Sequence, residues 1–277
     1  MSDVLPPLPL WEGAGGRGGA ADALVRLQMI LKSIGAADIA VSGGVDSLTL
    51  AAASHAVLGD GVHMHHAVSP AVPPEATERT KTLAAARGWL LTLFDAGEFA
   101  DPRYRENPSD RCFFCKTNLY GALAARVAGT ILSGTNTDDL ADWRPGLRAA
   151  EQHRVRHPFV EAGIDKATVR RLAARLGLGE VAELPASPCL SSRIETGIRV
   201  EPELLSLVHR AETLVTQALA PRTVRCRVRA AGVVVELDAE ALARVPASLA
   251  AELATLAGQP VSFAPYRTGS AFLRAGA

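Results

Sequence analysis

The sequence predicts an α/β fold: a doubly wound parallel sheet followed by a smaller α+β C-terminal domain. Between residues 23 and about 185, short apolar strands alternate with helical patterns, which favours a parallel sheet with helices on both faces. The first strand passes through a Ser/Gly-rich turn directly into a helix. Beyond the proline-rich stretch 185–188 the order becomes helix, two strands, helix and strand, which indicates a second domain.

Hydrophobic periodicity places the individual elements. Strands are predicted at 38–41, 62–68, 90–94, 130–132, 223–228, 233–237 and near Val261. Helices are predicted at 23–33, 45–57, 73–87, 116–127 and 202–219. We expect a disordered Pro/Gly-rich tail over 1–20, a main domain over 21–190 and a C-terminal domain over 191–277.

The composition restricts the classes of function. Lys plus Arg and Asp plus Glu each total 29 in 277 residues, and this zero net charge disfavours a nucleic-acid substrate. Four cysteines are too few for a disulfide scaffold and fit an intracellular metal or catalytic use. No apolar run is long enough for a membrane span, so we expect a cytoplasmic protein without a membrane partner.

The turn between the first strand and its helix predicts an anion site. Gly43 and Gly44 permit a tight turn and close approach of an anion to the backbone, at the positive end of a helix. The hydroxyls of Ser42 and Ser47 can donate hydrogen bonds, and Asp46 can hold the metal that accompanies a nucleotide. The alternative is a strand-to-helix turn in which small residues act only as cap and linker.

The cysteines suggest a metal or sulfur site. Cys112 and Cys115 form a CxxC pair at the entrance of a helix, which suits half of a zinc site, a redox pair or part of an iron–sulfur cluster. Cys189 is the candidate third ligand, because it lies in a polar, Pro-stiffened loop where Arg193 favours a thiolate. Cys226 lies in a strand pattern and is predicted to be structural.

A second pair of possible metal ligands lies on the second strand. His65 and His66 could bind an ion, but hydrogen-bonded histidines of a sheet are the favoured interpretation.

The loop and cysteine segments together resemble a known family. The hexapeptide 42–47 is similar to the SGGxDS signature of PP-loop ATP pyrophosphatases and lacks Walker A spacing. The chain resembles LarE-type ATP-dependent sulfur transferases over about residues 23–275, in five ordered blocks: SGGVDS at 42–47, NPSDRCFFCK at 107–116, SGTNTDDLADWRPG at 133–146, PASPCLSSRIETG at 185–197 and RTGS at 267–270.

The resemblance implies a reaction and its cofactors. ATP with Mg²⁺ would adenylate a carboxylate of a small pyridinium mononucleotide, and sulfur would then replace AMP to give the thiocarboxylate of a nickel-pincer cofactor. One form of the family sacrifices the sulfur of a cysteine that matches Cys189. The other holds a 4Fe-4S cluster on three cysteines, which match Cys112, Cys115 and Cys189, and is the form favoured here.

The resemblance also implies further site residues. Lys116 and the acidic pair Asp138 and Asp139 are placed like nucleotide-site residues, with a solvated surface position as the alternative for each, and Arg193 would bind the substrate. Arg227 and Arg229 share a strand face with Arg225, and together with Glu212 they would bind substrate or phosphate across subunits of a homo-oligomer, a hexamer by resemblance. A solvated edge face is the alternative for these arginines. The chain departs from the family pattern at Leu184, where a lysine is expected, and at Val235, where an arginine is expected.

Two other enzymes share parts of this pattern. A PP-loop tRNA thiolase also combines the loop with three cysteines, although the charge balance opposes it. An amidotransferase-like synthetase shares the loop but needs no cysteine triad. A regulatory module that binds ATP without releasing pyrophosphate is a third possibility.

Overall fold

The structure is a computed structural model that describes residues 19–140, 145–185 and 188–267. Its helices are α1 (Ala20–Ile34), α2 (Val45–Leu58), α3 (Pro74–Arg87), α4 (Pro102–Arg105), α5 (Arg111–Ala124), α6 (Pro145–Gln152), α7 (Pro158–Glu161), α8 (Lys166–Arg175), α9 (Pro202–Leu219), α10 (Ala239–Leu242) and α11 (Ala247–Ala257). Its strands are β1 (Ala37–Ala40), β2 (Val62–Ala67), β3 (Leu90–Phe94), β4 (Thr130–Ser133), β5 (Val224–Arg229), β6 (Gly232–Leu237) and β7 (Val261–Pro265).

The first four strands form the predicted parallel sheet, in the order β3-β2-β1-β4. β1 is central because Ala37 pairs with both Val62 and Thr130. One face packs against α1, α2 and α8 in the largest hydrophobic core, and the other packs against α5 and α6. The predicted α/β class, with helices on both faces, is therefore confirmed.

In the first two helices, burial follows the pattern of apolar residues in the sequence. Leu27 and Leu31 of α1 are fully buried, and Leu24 and Ile30 pack at the edge of the same core, which confirms the predicted stripe. α2 is buried along nearly its whole length because it is covered by α1, α8 and the sheet. Its small Ala51–Ala53 side chains allow this close packing.

Some elements differ from the prediction. α5 begins at Arg111 rather than at 116, because Pro108 and Asp110 start the helix and the CxxC pair falls in its first turn. Helices α6, α7 and α8 were not predicted individually. The predicted tail 1–20 lies outside the described residues except for Gly19 and Ala20, and Ala20 already belongs to α1.

The C-terminal part packs α9 against a three-stranded sheet of order β5-β6-β7. The β5–β6 pair is antiparallel and the β6–β7 pair is parallel. Ala71 and Tyr104 from the first part of the chain belong to the same core, and Leu190 donates a backbone hydrogen bond to Ala71. The two parts therefore share a core at the place where the sequence predicts a boundary.

The helices of the described residues include none long and apolar enough to cross a membrane.

The turn after β4 makes a close backbone contact with the loop that precedes α2. A Cβ atom at Gly134 would lie 2.8 Å from both the carbonyl carbon of Asp46 and the amide nitrogen of Ser47. Both atoms belong to the backbone, so a side chain at this position has to displace the loop.

Gly134→Ala is therefore expected to lower the free energy of unfolding by about 1–3 kcal/mol, the usual cost of overpacking. Chemical denaturation measures this change. Gly61→Ala is the matched control, because its Cβ would only reach ordinary contact with Leu58 at 3.8 Å. Equal destabilisation of both variants would contradict the close-contact explanation.

Candidate functional site

The loop 42–47 joins the carboxyl end of β1 to the amino end of α2. Gly43 has a φ of 79°, and a Cβ there would lie 2.5 Å from the carbonyl oxygen of Ala76, so only glycine fits. Ser47 Oγ accepts a hydrogen bond from the Ser42 amide at 3.0 Å and donates to the Gly44 carbonyl at 3.1 Å. Among the described residues no side chain caps α2, so its first amides are available to an anion.

The two predicted serines have a role that the sequence did not show. Ser47 is buried and its hydroxyl holds the loop closed, and this hydroxyl also lies 3.1 Å from the Ser42 hydroxyl. Ser47 therefore fixes the shape of the loop, and the predicted contacts of Ser42 and Ser47 with an anion stay predictions.

Asp46 points toward residues of the turn after β4. It accepts hydrogen bonds from Asn136 Nδ2 at 3.2 Å and from the Lys166 ammonium at 2.5 Å. Asp139 accepts the backbone N–H of Asn136 at 3.0 Å, which brings it to the same side of the loop. Neither Asn136 nor Lys166 was predicted, since they come close to the loop only through the parallel packing of β1 and β4.

The three predicted cysteines come together in space. Cys112 and Cys189 are exposed, whereas Cys115 is half-buried against the C-terminal core. Burial first, and then the neighbouring Cys189, raises the pKa of the Cys115 thiol to about 12. Cys115 is therefore a thiol at neutral pH unless a metal displaces its proton.

The spacing of these cysteines bears on the type of metal. The three sulfur atoms do not all lie within 4.8 Å of one another. Tetrahedral zinc with bonds of about 2.3 Å would hold them about 3.8 Å apart. The three thiols are thus spaced more widely than a single tetrahedral zinc ion would hold them.

Lys116 lies between the cysteines and the residues around the loop. Interaction with Tyr120, and then with Cys115, Cys112 and Cys189, raises the pKa of Lys116 against the opposing effect of burial. Its ammonium group is 5.6 Å from the centre of the Tyr120 ring. Lys116 is thus a positive charge within electrostatic range of all three sulfur atoms.

His157 marks the other side of Lys116. Burial lowers the pKa of His157, and Lys116 lowers it further, while Glu161 and Asp139 oppose the shift. Its Nδ1 lies 2.8 Å from the hydroxyl of Ser133 at the end of β4. The neutral His157 imidazole therefore lies within electrostatic range of both Lys116 and Asp139.

Three further residues near the cysteines were not predicted from the sequence. Tyr104 is buried, and its hydroxyl lies 2.7 Å from Ser191 Oγ in the Cys189 loop. Asn107 donates to the carbonyls of Glu195 and Ile198, both at 2.8 Å, which ties the CxxC segment to the same loop. The buried Arg111 donates to Asn107 Oδ1, and its Nη2 has no hydrogen-bond partner among the described residues.

Arg193 lies inside the protein, paired with Glu212. Its guanidinium is 3% exposed and pairs with both carboxylate oxygens of Glu212 at 2.9 and 3.0 Å. The remaining nitrogen, Nη1, donates to the carbonyls of Pro188 and Cys189. Arg193 and Glu212 thus hold the Cys189 backbone in place, and the predicted substrate contacts of both residues remain untested.

Arg227 and Arg229 also form an internal network. Both pair with the buried Glu236, at 3.1 and 2.6 Å, and Arg227 donates to the Ser192 carbonyl at 3.0 Å. The sequence placed these arginines on one face, but it could not show that the hairpin brings Glu236 onto that face.

The other predictions have separate outcomes. His66 is fully hydrogen-bonded, because Nδ1 donates to the Val41 carbonyl at 2.8 Å and Nε2 accepts from Thr77 at 2.9 Å. His65 bonds Asp38 at 2.7 Å through Nε2. Cys226 is wholly buried in the C-terminal core rather than half-buried, and burial raises its pKa to about 12.

The two positions at which the chain departs from the family pattern lie in a core or at its edge. Val235 is wholly buried, and Leu184 packs at the edge of the first core. Parts of three blocks, residues 141–144, 186–187 and 268–270, lie outside the described residues.

A parallel sheet of this order, whose first strand leads through SGGVDS into a buried helix, is consistent with the α/β fold of the PP-loop superfamily. A protein of Lactiplantibacillus plantarum named pyridinium-3,5-bisthiocarboxylic acid mononucleotide synthase is 30% identical over 202 residues, which cover 71% of this chain and 72% of that protein. The chain belongs to this LarE-type family.

Two uncharacterized proteins are also similar. One, from Synechocystis, is 38% identical over 193 residues, covering 68% of this chain and 72% of that protein. The other, from Methanocaldococcus jannaschii, is 30% identical over 111 residues, or 39% and 43% of the two chains. No protein-family model matches the chain.

The Arg193–Glu212 pair generates a stability prediction. Glu212→Ala leaves a buried guanidinium without its carboxylate, which costs about 3–5 kcal/mol of unfolding free energy. The surface pair Arg222–Glu240 supplies the control, because both side chains are largely exposed and Glu240→Ala should change stability by less than about 1 kcal/mol. Denaturant titration compares the two, and equal effects would show that Arg193 needs no carboxylate partner.

Proposed function

We propose that this protein is an ATP-dependent sulfur transferase. It would adenylate a carboxylate of a small pyridinium mononucleotide and replace the AMP with sulfur, giving the thiocarboxylate of a nickel-pincer cofactor. The observation that carries the proposal is the position of Lys116, within electrostatic range of three cysteines and of His157 beside the loop. The printed name of the Lactiplantibacillus relative supports this substrate class.

The ATP step uses the loop and its neighbours. A substrate carboxylate oxygen attacks the α-phosphorus, the bond to the bridging oxygen breaks, and pyrophosphate leaves toward the free amides at the start of α2. The charge of Lys116 offsets the negative charge that develops. Asp46 and Asp139 lie beside the loop as acceptors for Mg²⁺, which would replace the Lys166 ammonium at Asp46.

The sulfur step needs a nucleophile at the acyl carbon, from which AMP then departs. Cys112, Cys115 and Cys189 would hold a 4Fe-4S cluster, which would supply sulfide as that nucleophile. Lys116 fits such a group, because it places positive charge beside thiolates that would otherwise repel one another. Tyr104, Asn107 and Arg193 keep the Cys189 loop against the CxxC helix.

Cys189 itself is the other sulfur source consistent with its exposure. Its thiolate would attack the acyl carbon and release AMP, forming a thioester. Loss of the Cys189 α-proton to a base then breaks the Cβ–Sγ bond, which frees the thiocarboxylate and leaves dehydroalanine.

The remaining expectations belong to the same proposal. The partner is a small molecule rather than nucleic acid, the protein is cytoplasmic, and it assembles as a homo-oligomer, a hexamer by family resemblance.

Isotope exchange between pyrophosphate and ATP tests the adenylation step. Exchange should require the pyridinium biscarboxylic acid mononucleotide, and Lys116→Ala should slow it roughly 100-fold, the usual loss for one electrostatic contact to the transition state. Lys81→Ala is the control, because Lys81 pairs with Glu78 on the surface of α3. Exchange that appeared only with tRNA would indicate a tRNA thiolase instead, and ATP binding without any exchange would indicate a regulatory module.

Iron and sulfide quantification after anaerobic purification tests the sulfur source. We expect about four irons per chain. Cys112→Ala and Cys115→Ala should lose them, whereas Cys226→Ala should retain them because Cys226 lies in the core. A colourless, iron-free protein would reject the cluster, and the intact mass after turnover would then show whether Cys189 has lost hydrogen sulfide.

A further inference from the structure

A cluster of metal-ligating side chains lies on the parallel sheet and contains no residue of the loop and none of the cysteines. Asp38 of β1 pairs in register with His63 of β2, and His65 follows two residues later, so the three side chains share one sheet face. One ligand atom from each residue lies within 4.8 Å of the other two. Within the described residues, this is the one group of three or more His, Cys, Asp or Glu that meets this spacing.

The hydrogen bonds of the cluster leave a buried atom unsatisfied. His65 is 4% exposed, and its Nδ1 has no hydrogen-bond partner among the described residues, although Nε2 bonds Asp38 at 2.7 Å. A buried polar nitrogen without a partner is costly, which points to a ligand or proton donor at this ring. The ring of His63 lies against it, with centroids 4.1 Å apart.

The surroundings position the cluster. Gly129 makes room for the Asp38 carboxylate, since a Cβ there would lie 2.6 Å from Oδ2. Thr92 of β3 holds His63 Nε2 at 2.8 Å, and Phe94 packs edge-on against His65 with centroids 6.4 Å apart. Asp38 and His63 are only half-buried, so an ion has a path of entry from solvent.

We propose that Asp38, His63 and His65 form a binding site for one zinc-like divalent ion. Two imidazoles and one carboxylate suit zinc and neighbouring transition metals, whereas Mg²⁺ and Ca²⁺ prefer oxygen ligands alone. Three protein ligands leave a position for water in a tetrahedral site. The site is independent of the proposed sulfur transfer, because it shares no residue with the loop or the cysteines.

Metal titration of the full-length chain tests the site. The Cys112→Ala/Cys115→Ala/Cys189→Ala variant removes the competing thiolates, and calorimetry with Zn²⁺ should then show one ion per chain. Co²⁺ should give the visible bands of nitrogen and oxygen ligation without thiolate charge-transfer bands.

Matched variants in that background assign the ligands. His63→Ala and Asp38→Asn should each weaken Zn²⁺ binding at least tenfold, since even losing a group outside the ligand set costs about 10 to 100-fold. His209→Ala is the control, because this partly exposed histidine faces Glu75 at 3.5 Å, far along the chain from the cluster. Asp38→Asn retains the shape of the side chain. If His63→Ala fails to fold, the Zn²⁺ affinity of Asp38→Asn therefore shows whether the cluster binds the ion.

Absence of stoichiometric Zn²⁺ binding in the triple-cysteine variant would overturn the proposal. Equal affinity of the His63, Asp38 and His209 variants would do the same. A rise of Tm with Zn²⁺ that His63→Ala and Asp38→Asn abolish would support it, because an ion that binds only the folded chain stabilises that state.

Discussion

The arrangement of the loop 42–47 depends on backbone segments that approach one another without side chains between them. Gly43 lies against the carbonyl of Ala76, and Gly134 lies against the backbone of Asp46 and Ser47. With the loop held from two sides and closed by Ser47, the amides at the start of α2 keep one orientation. A site for a polyanion needs such fixed dipoles, because dipoles that must reorient on binding stabilise charge less.

The second constraint is the attachment of the Cys189 loop to the CxxC helix. Tyr104 and Asn107 reach this loop from the first part of the chain, and Arg193 and Arg227 hold its carbonyls from the C-terminal part. Both arginines have carboxylate partners, so their buried charge is compensated. The third cysteine is therefore positioned by the packing of two sheets, which explains why the two parts of the chain share a core around Tyr104.

The sequence was sufficient for features that depend on local pattern. Strand and helix periods predicted the parallel sheet, SGGVDS predicted the loop, and CxxC predicted the cysteine pair, because each of these signals lies within a few residues. Cys189 was predicted from its polar, Pro-stiffened loop and from the family resemblance. Contacts between distant segments could not be obtained in this way. Lys166 reaches Asp46 across 120 residues of chain, and the pairing of Arg227 with Glu236 depends on the β5–β6 hairpin. A period of two residues shows which side chains of a strand share a face. It does not show which oppositely charged side chain compensates their charge.

The same limitation explains the Asp38, His63 and His65 cluster. His65 and His66 were considered as a pair of metal ligands because they are adjacent in the sequence. Adjacent residues of a strand point to opposite faces, however, and both ring nitrogens of His66 are hydrogen-bonded, to Val41 and Thr77. The two histidines that share a sheet face are His63 and His65. Asp38 of the neighbouring strand β1 completes the group of three. Asp38 precedes Ser42 by four residues, about 13 Å along an extended strand, whereas His65 pairs in register with Ala40, at the carboxyl end of β1 from which the loop leads. Imidazole and carboxylate ligands select different ions from thiolates, because soft sulfur ligands favour iron–sulfur clusters and mixed nitrogen and oxygen ligands favour zinc-like ions. The two proposed metal sites of this chain would thus be kept distinct by the type of their ligands.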